Sequence, residues 1–278
     1  MVGFGHNTTI SRPLSVDPIE LIAIDLDGTL LRHDRTIGRE SMTAIDEARQ
    51  QGKIIILATG RAPRGIRKTY RRLKLDTWQV THNGALIYDS VHHKAIYHRT
   101  IDGTLARKVV SLARQAMPRV WIGVEIIDSI YSDCVKRRSD SSQSTIEQAP
   151  LSHILQSPVT KIFMTGDSSH LANIQMRVQE KLPGHVGFAV SHSRLLQIVS
   201  AGVDKAAALA KIAKHYGIDR NRCMAIGDAP NDLGMMKWSG LSIAVQNAWL
   251  DVKNAADFVV KSNDDDGVAE AITKYALN

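Results

Sequence analysis

The sequence predicts an α/β fold: a parallel sheet interleaved with helices, interrupted by an inserted α+β segment. Three observations predict it. Apolar runs of strand length end at polar residues near both ends of the chain, IELIAIDL at 19–26, KIIILAT at 53–59 and CMAIGD at 223–228. Segments with helical spacing alternate with those runs, the βα rhythm of a parallel sheet. The middle of the chain breaks the rhythm with hairpin-like strand pairs and one long polar stretch.

Taken in order, residues 1–18 contain Gly, His, Asn, Thr and Pro but no long apolar run, and read as an N-terminal extension rather than a secretory signal. Residues 19–26 are a strand. Residues 38–51 form a helix carrying Met42, Ile45 and Ala48 at helical spacing. The run 53–59 is almost wholly apolar, as a strand buried on both faces must be. A basic helix spans Pro63 to Leu73, and Trp78 to Thr81 is a third strand completing a βαβαβ unit, ending at His82-Asn83-Gly84.

Next come a hairpin (86–89 with 94–99), a helix (104–117), a strand pair or one long strand (121–133) and a polar loop or partly helical excursion (136–150). A strand (159–166), a helix (169–181) and two strands within 186–200 follow. The βα rhythm then returns: an alanine-rich helix (204–216), the strand 223–228, a helical stretch 232–237, strands LSIAV and DFVV, and a last helix 267–275. The expected division is an extension 1–18, a core of 19–88 and 196–278, and an inserted α+β cap of 89–195.

Composition narrows the class. The chain has 278 residues, 44% apolar and 23% charged, which excludes a disordered or collagen-like chain and supports one large domain or two modest ones. Cys134 and Cys223 are too few for a disulfide scaffold, so a reducing cytoplasm is the expected location; Cys223 is placed in the core and Cys134 beside a polar loop. No apolar segment approaches the roughly 18 residues of a membrane helix, so no membrane partner is expected. The net charge of +7 favours anionic ligands, phosphorylated metabolites or nucleic acid. The stretch RAPRGIRKTYRRLK, 61–74, carries seven Arg or Lys residues but only Tyr70 among aromatics and no docking motif, so it reads as a solvated helix face and nucleic acid is not an expected partner. His92 and His93 lack a metal-partner pattern.

The chemistry-bearing residues sit where strands stop. Asp25 and Asp27 are two apart, so on an extended backbone both carboxylates face one side. One can attack an electrophile while the other moves a proton; the bland alternative is an Asx-type turn. Thr29 offers a hydroxyl or N–H to an anion. Thr59 and Gly60 offer a hydroxyl and N–H groups to a phosphate, and Arg61 serves the ligand or faces solvent. Asp228 and Asp232 supply hard oxygen ligands of the kind Mg²⁺ takes, or form a polar turn. Lys205 is the natural counter-charge, or a surface lysine at a helix start.

Together, DLDGTL, TGR, Lys205 and GDAPND resemble the four ordered motifs of the haloacid dehalogenase-like (HAD) hydrolase superfamily. The segments THNGALIYD, SHSRLLQIVSAGVDKAAAL and VVKSNDDDGVAEAI resemble its Cof-type phosphatases, over residues 19–277. The resemblance implies a Rossmann-like core with an inserted C2-type α+β cap. It implies Asp25 as nucleophile forming an aspartyl-phosphate, Asp27 as acid and base, and Thr59, Gly60, Lys205 and Asn231 about the phosphate. Mg²⁺ would lie on Asp25, the Asp27 carbonyl and Asp228, with Asp232 ordering its waters or binding it. Two positions depart from the pattern: Ala206 and Gln246 replace glycines. The cap implies leaving-group contacts, for which Arg61, Asn83, Glu125, Asp128, His192 and Arg194 are candidates. The expected function is a phosphatase of small phosphorylated metabolites, sugar phosphates foremost, acting as a monomer or weak homo-oligomer. A phosphotransferase or phosphomutase, and a phosphoanion-binding protein without turnover, are the alternatives.

Overall fold

The structure is a computed structural model describing residues 18–134 and 146–277. All but the last residue of the expected N-terminal extension and most of the polar stretch 136–150 therefore lie outside the described residues. The first part of the chain forms β1 (Leu21–Ile24), α1 (Arg39–Gln50), β2 (Ile54–Leu57), α2 (Pro63–Arg72), β3 (Trp78–Thr81), β4 (Leu86–Asp89) and β5 (Lys94–His98). The middle forms α3 (Gly103–Ala116), β6 (Trp121–Ile126), β7 (Ser129–Ser132), β8 (Ile146–Gln148), α4 (Leu151–Ile154), β9 (Lys161–Thr165), α5 (Ser168–Lys181), β10 (Val186–His192) and β11 (Leu195–Ser200). The last part forms α6 (Lys205–Tyr216), β12 (Cys223–Gly227), α7 (Leu233–Trp238), β13 (Leu241–Val245), α8 (Leu250–Ala255), β14 (Phe258–Val260) and α9 (Gly267–Tyr275). Sequence spacing anticipates most of these elements but not α4 and α8, nor the short strand β8 at the end of the polar stretch.

The core sheet is parallel throughout, in the order β14-β13-β12-β1-β2. Its centre is continuously apolar and buried, because helices cover both faces. The register pairs Ile24 with both Ile226 and Leu57, so β1, β12 and β2 end at one edge. Asp25, Asp228 and Thr59 follow those ends, the usual place for a ligand on an open α/β sheet.

The expected third parallel strand is a correction. β3 pairs antiparallel with β4, which pairs with β5, and it touches the core sheet through a single parallel bridge, Ala58 to Val80. Side chains stand in for the missing ladder. Gln79 Oε1 accepts the Leu57 N–H at 2.5 Å, and the Thr77 hydroxyl donates to the Ile55 carbonyl at 2.5 Å. Both polar side chains are buried, so the edge of β2 is satisfied without a full strand beside it.

The second sheet runs β10-β11-β9-β6-β7-β8 and is antiparallel except for β7 with β8. It has its own apolar core, from Ile101 to Ile198, with Val109, Ile122, Ile162 and Ile174 at 1% exposure or less. The strands nearest the expected boundaries at 89 and 195 divide between the cores by packing. Ile96 and Tyr97 of β5 pack on the first core, whereas Leu196 and Ile198 of β11 lie in the second. By packing, β5 goes with the first core and β11 with the second.

Candidate active site

Between the sheets lies a cleft of about 750 Å³. Its floor is formed by the loops after β1, β2 and β12, and its roof by side chains of β6, β7, β9, β10 and β11. Beneath the floor, against Asp25, lies Lys205, whose side chain is 0% exposed. Its Nζ lies 2.5 Å from Asp25 Oδ1 and 2.6 Å from Asp232 Oδ1. Helix α6 starts at Lys205 because Asp204 caps it, accepting the Ala207 N–H at 2.6 Å. Gly84, at φ +98°, lets the chain pass so close that a Cβ would meet the Asp204 carbonyl at 2.0 Å.

Asp25, Asp228 and Asp232 each place a carboxylate oxygen within 4.8 Å of the others. Asp232 Oδ2 accepts the N–H groups of Asp228 and Ala229, both at 3.0 Å, which folds the GDAPND turn around it. Thr29, expected to meet an anion, instead donates its hydroxyl to Asp228 Oδ1 at 2.7 Å. Gly28 makes the approach possible: at φ +86°, a Cβ there would sit 2.5 Å from Asp228 Oδ2.

Electrostatics follow from this crowding. Burial pushes the Asp25 carboxyl well above its ordinary range; Lys205 pulls it down, while Asp232, Asp228 and Asp27 push it up. Burial and Asp232 push Asp228 up to about 7, against the Thr29 hydrogen bond and Lys205. For Lys205 burial acts downward, but Asp232 and Asp25 outweigh it and hold the amine above its ordinary value, as a cation. One ammonium among three buried carboxylates leaves negative charge uncompensated. That excess and the all-oxygen donor set fit a hard divalent cation.

Asp27 departs from the strand-like arrangement expected of the pair. The chain leaves extended geometry after Ile24, so Asp25 is buried while the Asp27 side chain is 55% exposed. Both still line the cleft. Arg61 grips both oxygens of Asp27, with Nε 2.7 Å from Oδ2 and Nη2 on Oδ1. Thr59 and Gly60 line the cleft beside it, and the Thr59 hydroxyl accepts the Arg61 N–H at 3.2 Å.

The remaining expected residues divide. Asn231 lines the cleft and donates to Asn83 Oδ1 at 3.0 Å. Asn83 is buried, at φ +58°, beneath the cleft lining rather than in it. His192 lines the roof. Arg194 points to Asp167, 3.6 Å away, outside the lining. Glu125 lines the roof, but Arg64, Lys161 and His82 surround its carboxylate. Burial raises that carboxyl, yet Lys161, His82 and Arg64 together hold it well below the carboxylate range. Asp128 is no lining residue; it pairs with Arg64 and with Arg67 at 2.9 Å. The two departures from the motif pattern are absorbed. Ala206 sits in the first turn of α6, Gln246 needs no positive φ, and the neighbouring Asn247 donates to the Gly28 carbonyl at 2.7 Å.

Sequence reading missed Lys161, Gln197, Arg35 and Trp249 of the lining. Two of them carried a signal. Gln197 interrupts the apolar run LLQIVS and Lys161 opens an apolar strand, and polar groups at buried strand positions require partners.

Residues 22–272 match the haloacid dehalogenase-like hydrolase family. The chain belongs to that family. The chain is a phosphoric monoester hydrolase with an HAD core and an inserted cap, similar to Cof-type phosphatases. Over 267 residues it is 30% identical to the 5-amino-6-(5-phospho-D-ribitylamino)uracil phosphatase YcsE of Bacillus subtilis (strain 168), covering 93% of this chain and 96% of that one. A second relative of the same described activity, YitU of the same organism, is 27% identical over 267 residues, with 92% and 97% covered. Among solved structures, a haloacid dehalogenase-like hydrolase from Bacteroides thetaiotaomicron shares 27% identity with a TM-score of 0.81, covering 92% of this chain and 99% of that chain.

Proposed function

We propose that this HAD phosphatase uses Mg²⁺ to hydrolyse small phosphorylated metabolites, phosphorylated sugars and sugar alcohols foremost. The observation that carries the reading is Lys205, held between Asp25 and Asp232 beneath a roofed cleft, with Asp228 clustered beside those two carboxylates.

Asp25 attacks phosphorus, forming the carboxyl–phosphorus bond as the bond to the leaving oxygen breaks. Lys205, the Thr59 hydroxyl and the Gly60 N–H hold the phosphoryl oxygens as charge builds on them. Asp27 delivers a proton to the departing alkoxide, then takes one from the water that releases phosphate. Arg61 keeps the Asp27 carboxylate oriented through both oxygens. Asp25, Asp228 and the Asp27 carbonyl would hold the cation, with Asp232 beside it ordering the GDAPND turn. A bound Mg²⁺ lowers the repulsion between an anionic nucleophile and an anionic ester.

The described activity of YcsE and YitU supports a phosphorylated polyol bearing a ring. Trp249 on the rim and Phe163 on the roof supply apolar surface of the kind such a ring would meet. The test is phosphate release from a panel of sugar, sugar-alcohol and nucleotide phosphates, with Mg²⁺ and with EDTA, for the wild type and Asp25→Asn. Metal-dependent release that vanishes in the variant is expected. Release insensitive to EDTA, or undiminished in Asp25→Asn, would contradict the reading.

A further inference from the structure

Lys161 belongs to the roof, at the first position of β9, yet its ammonium is committed to neighbours rather than to open cleft. Nζ lies 2.8 Å from the Gly60 carbonyl, 3.0 Å from Gln197 Oε1 and 2.9 Å from Glu125 Oε2. Two of these are donated hydrogen bonds, to Gly60 and Gln197, and the third is an ion pair with Glu125.

The hydrogen bond to Gln197 has a directional consequence. An ammonium can only donate, so Gln197 must turn its carbonyl oxygen toward Lys161. Gln197 Nε2 then donates to Ser191 Oγ at 3.1 Å. The same Gln197 oxygen accepts from Asn83 Nδ2 at 3.3 Å, which leaves Asn83 Oδ1 to accept from Asn231 Nδ2 at 3.0 Å. The polarity of one roof cation is thus passed through two amides to Asn231, a residue of the GDAPND turn lining the cleft. The end of the chain bears the mark of this constraint: Asn231 Oδ1 is buried without a partner. A flipped Asn231 would set two carbonyl oxygens against each other at Asn83.

Gly60 takes the other arm. Its carbonyl is held toward the roof by Lys161, and its flank is closed by Asn83, whose Oδ1 would lie 3.0 Å from a Cβ. Both arms end on residues assigned above to the phosphoryl group, so the inference rests on that site.

We propose that Lys161 is a positioning residue through which the cap sets the phosphate site, fixing the Gly60 peptide directly and the Asn231 amide through Gln197 and Asn83. Because Lys161 enters from the inserted layer, the phosphate site is complete only with the roof in place.

The test measures the affinity of the Mg²⁺-loaded protein for inorganic phosphate by calorimetry, with kcat and KM for p-nitrophenyl phosphate alongside. Lys161→Met, Gln197→Met, Asn231→Ala and the Gln197→Met/Asn231→Ala pair are compared, with circular dichroism to establish folding. A loss of about tenfold in phosphate affinity is expected for Lys161→Met and Gln197→Met, the scale of one charge-assisted hydrogen bond. Adding Gln197→Met to Asn231→Ala is expected to cause little further loss, because both break one relay. Gln197→Met leaves the Gly60 and Glu125 contacts of Lys161 in place, so it tests the relay even where Lys161→Met folds poorly. Unchanged phosphate affinity in folded Gln197→Met, or losses that multiply in the double variant, would overturn the proposal. A wild type that binds no phosphate would overturn the proposed function and this inference with it. A wild type that binds phosphate no better than its folded variants would overturn the inference alone.

Discussion

At the residue scale, Asp228 shows how the site trades stability for chemistry. Its carboxyl is pushed from an ordinary 3.8 up to about 7, first by burial and then by Asp232. A carboxyl with a raised folded value favours the protonated folded form. Its contribution to stability is therefore full below 3.8 and lost as pH rises through about 7. A cation at the site reverses that loss, and the proton competes with it. Thermal melts with and without Mg²⁺ are expected to show a metal-induced rise that is larger at about pH 8 than at about pH 5.5, since one competing proton weakens affinity by up to tenfold per pH unit. Asp228→Asn is expected to melt higher than the wild type in EDTA at about pH 8, by a few degrees for each kcal/mol or so of repulsion relieved, and to lose the Mg²⁺ effect. A wild-type metal effect independent of pH would contradict this account of Asp228. The core motif residues were legible in the sequence because each follows a strand end, where topology alone brings Asp25, Thr59 and Asp228 to one edge. The partner of the Thr29 hydroxyl was not legible, because Asp228 lies 199 residues away.

At the element scale, the basic helix α2 proves to be more than a solvated face. Arg61, Arg64 and Arg67 recur every three residues, so they share one side of the chain as it enters and turns through the helix. Arg61 holds Asp27, Arg64 holds Glu125, and Arg67 holds Asp128. The N-cap residue Ala62 offers no capping side chain. Asp128, from the β6–β7 turn, takes that place across the cleft, accepting the Arg64 N–H at 2.5 Å. The same turn is held by the His82 ring, which donates from Nε2 to the Ile127 carbonyl at 2.7 Å. The roof is thereby fastened to the helix that follows the TGR loop. Asp128→Ala is expected to destabilise by about 1 kcal/mol through the lost cap, and to speed hydrogen exchange in the first turn of α2. Unchanged exchange there would remove the fastening role. Periodicity marked α2 as a helix but was silent about these partners, because contacts between layers depend on the packing of one domain on another. The same limit hid Gln79 and Thr77, whose side chains replace the ladder that a third parallel strand would have made.

At the scale of the whole molecule, two apolar cores meet over one cleft. The first supplies the reacting groups at its sheet edge, and the second supplies a roof that excludes water and shapes the space for the leaving group. The sequence showed that a second layer was inserted, from the break in βα rhythm. It did not show where, because β5 and β11 are hairpin strands whose membership is decided by which core buries Ile96, Leu196 and Ile198. Among the described residues no helix is long and apolar enough to cross a membrane. The central claim is that the phosphoryl group passes through Asp25. Its most direct test is rapid acid quenching during turnover of the Mg²⁺-loaded protein, followed by peptide mass spectrometry. The account predicts one added phosphoryl group on the peptide containing Asp25, absent in Asp25→Asn. Turnover with no such adduct at any quench time, or an adduct on a different side chain, would contradict it.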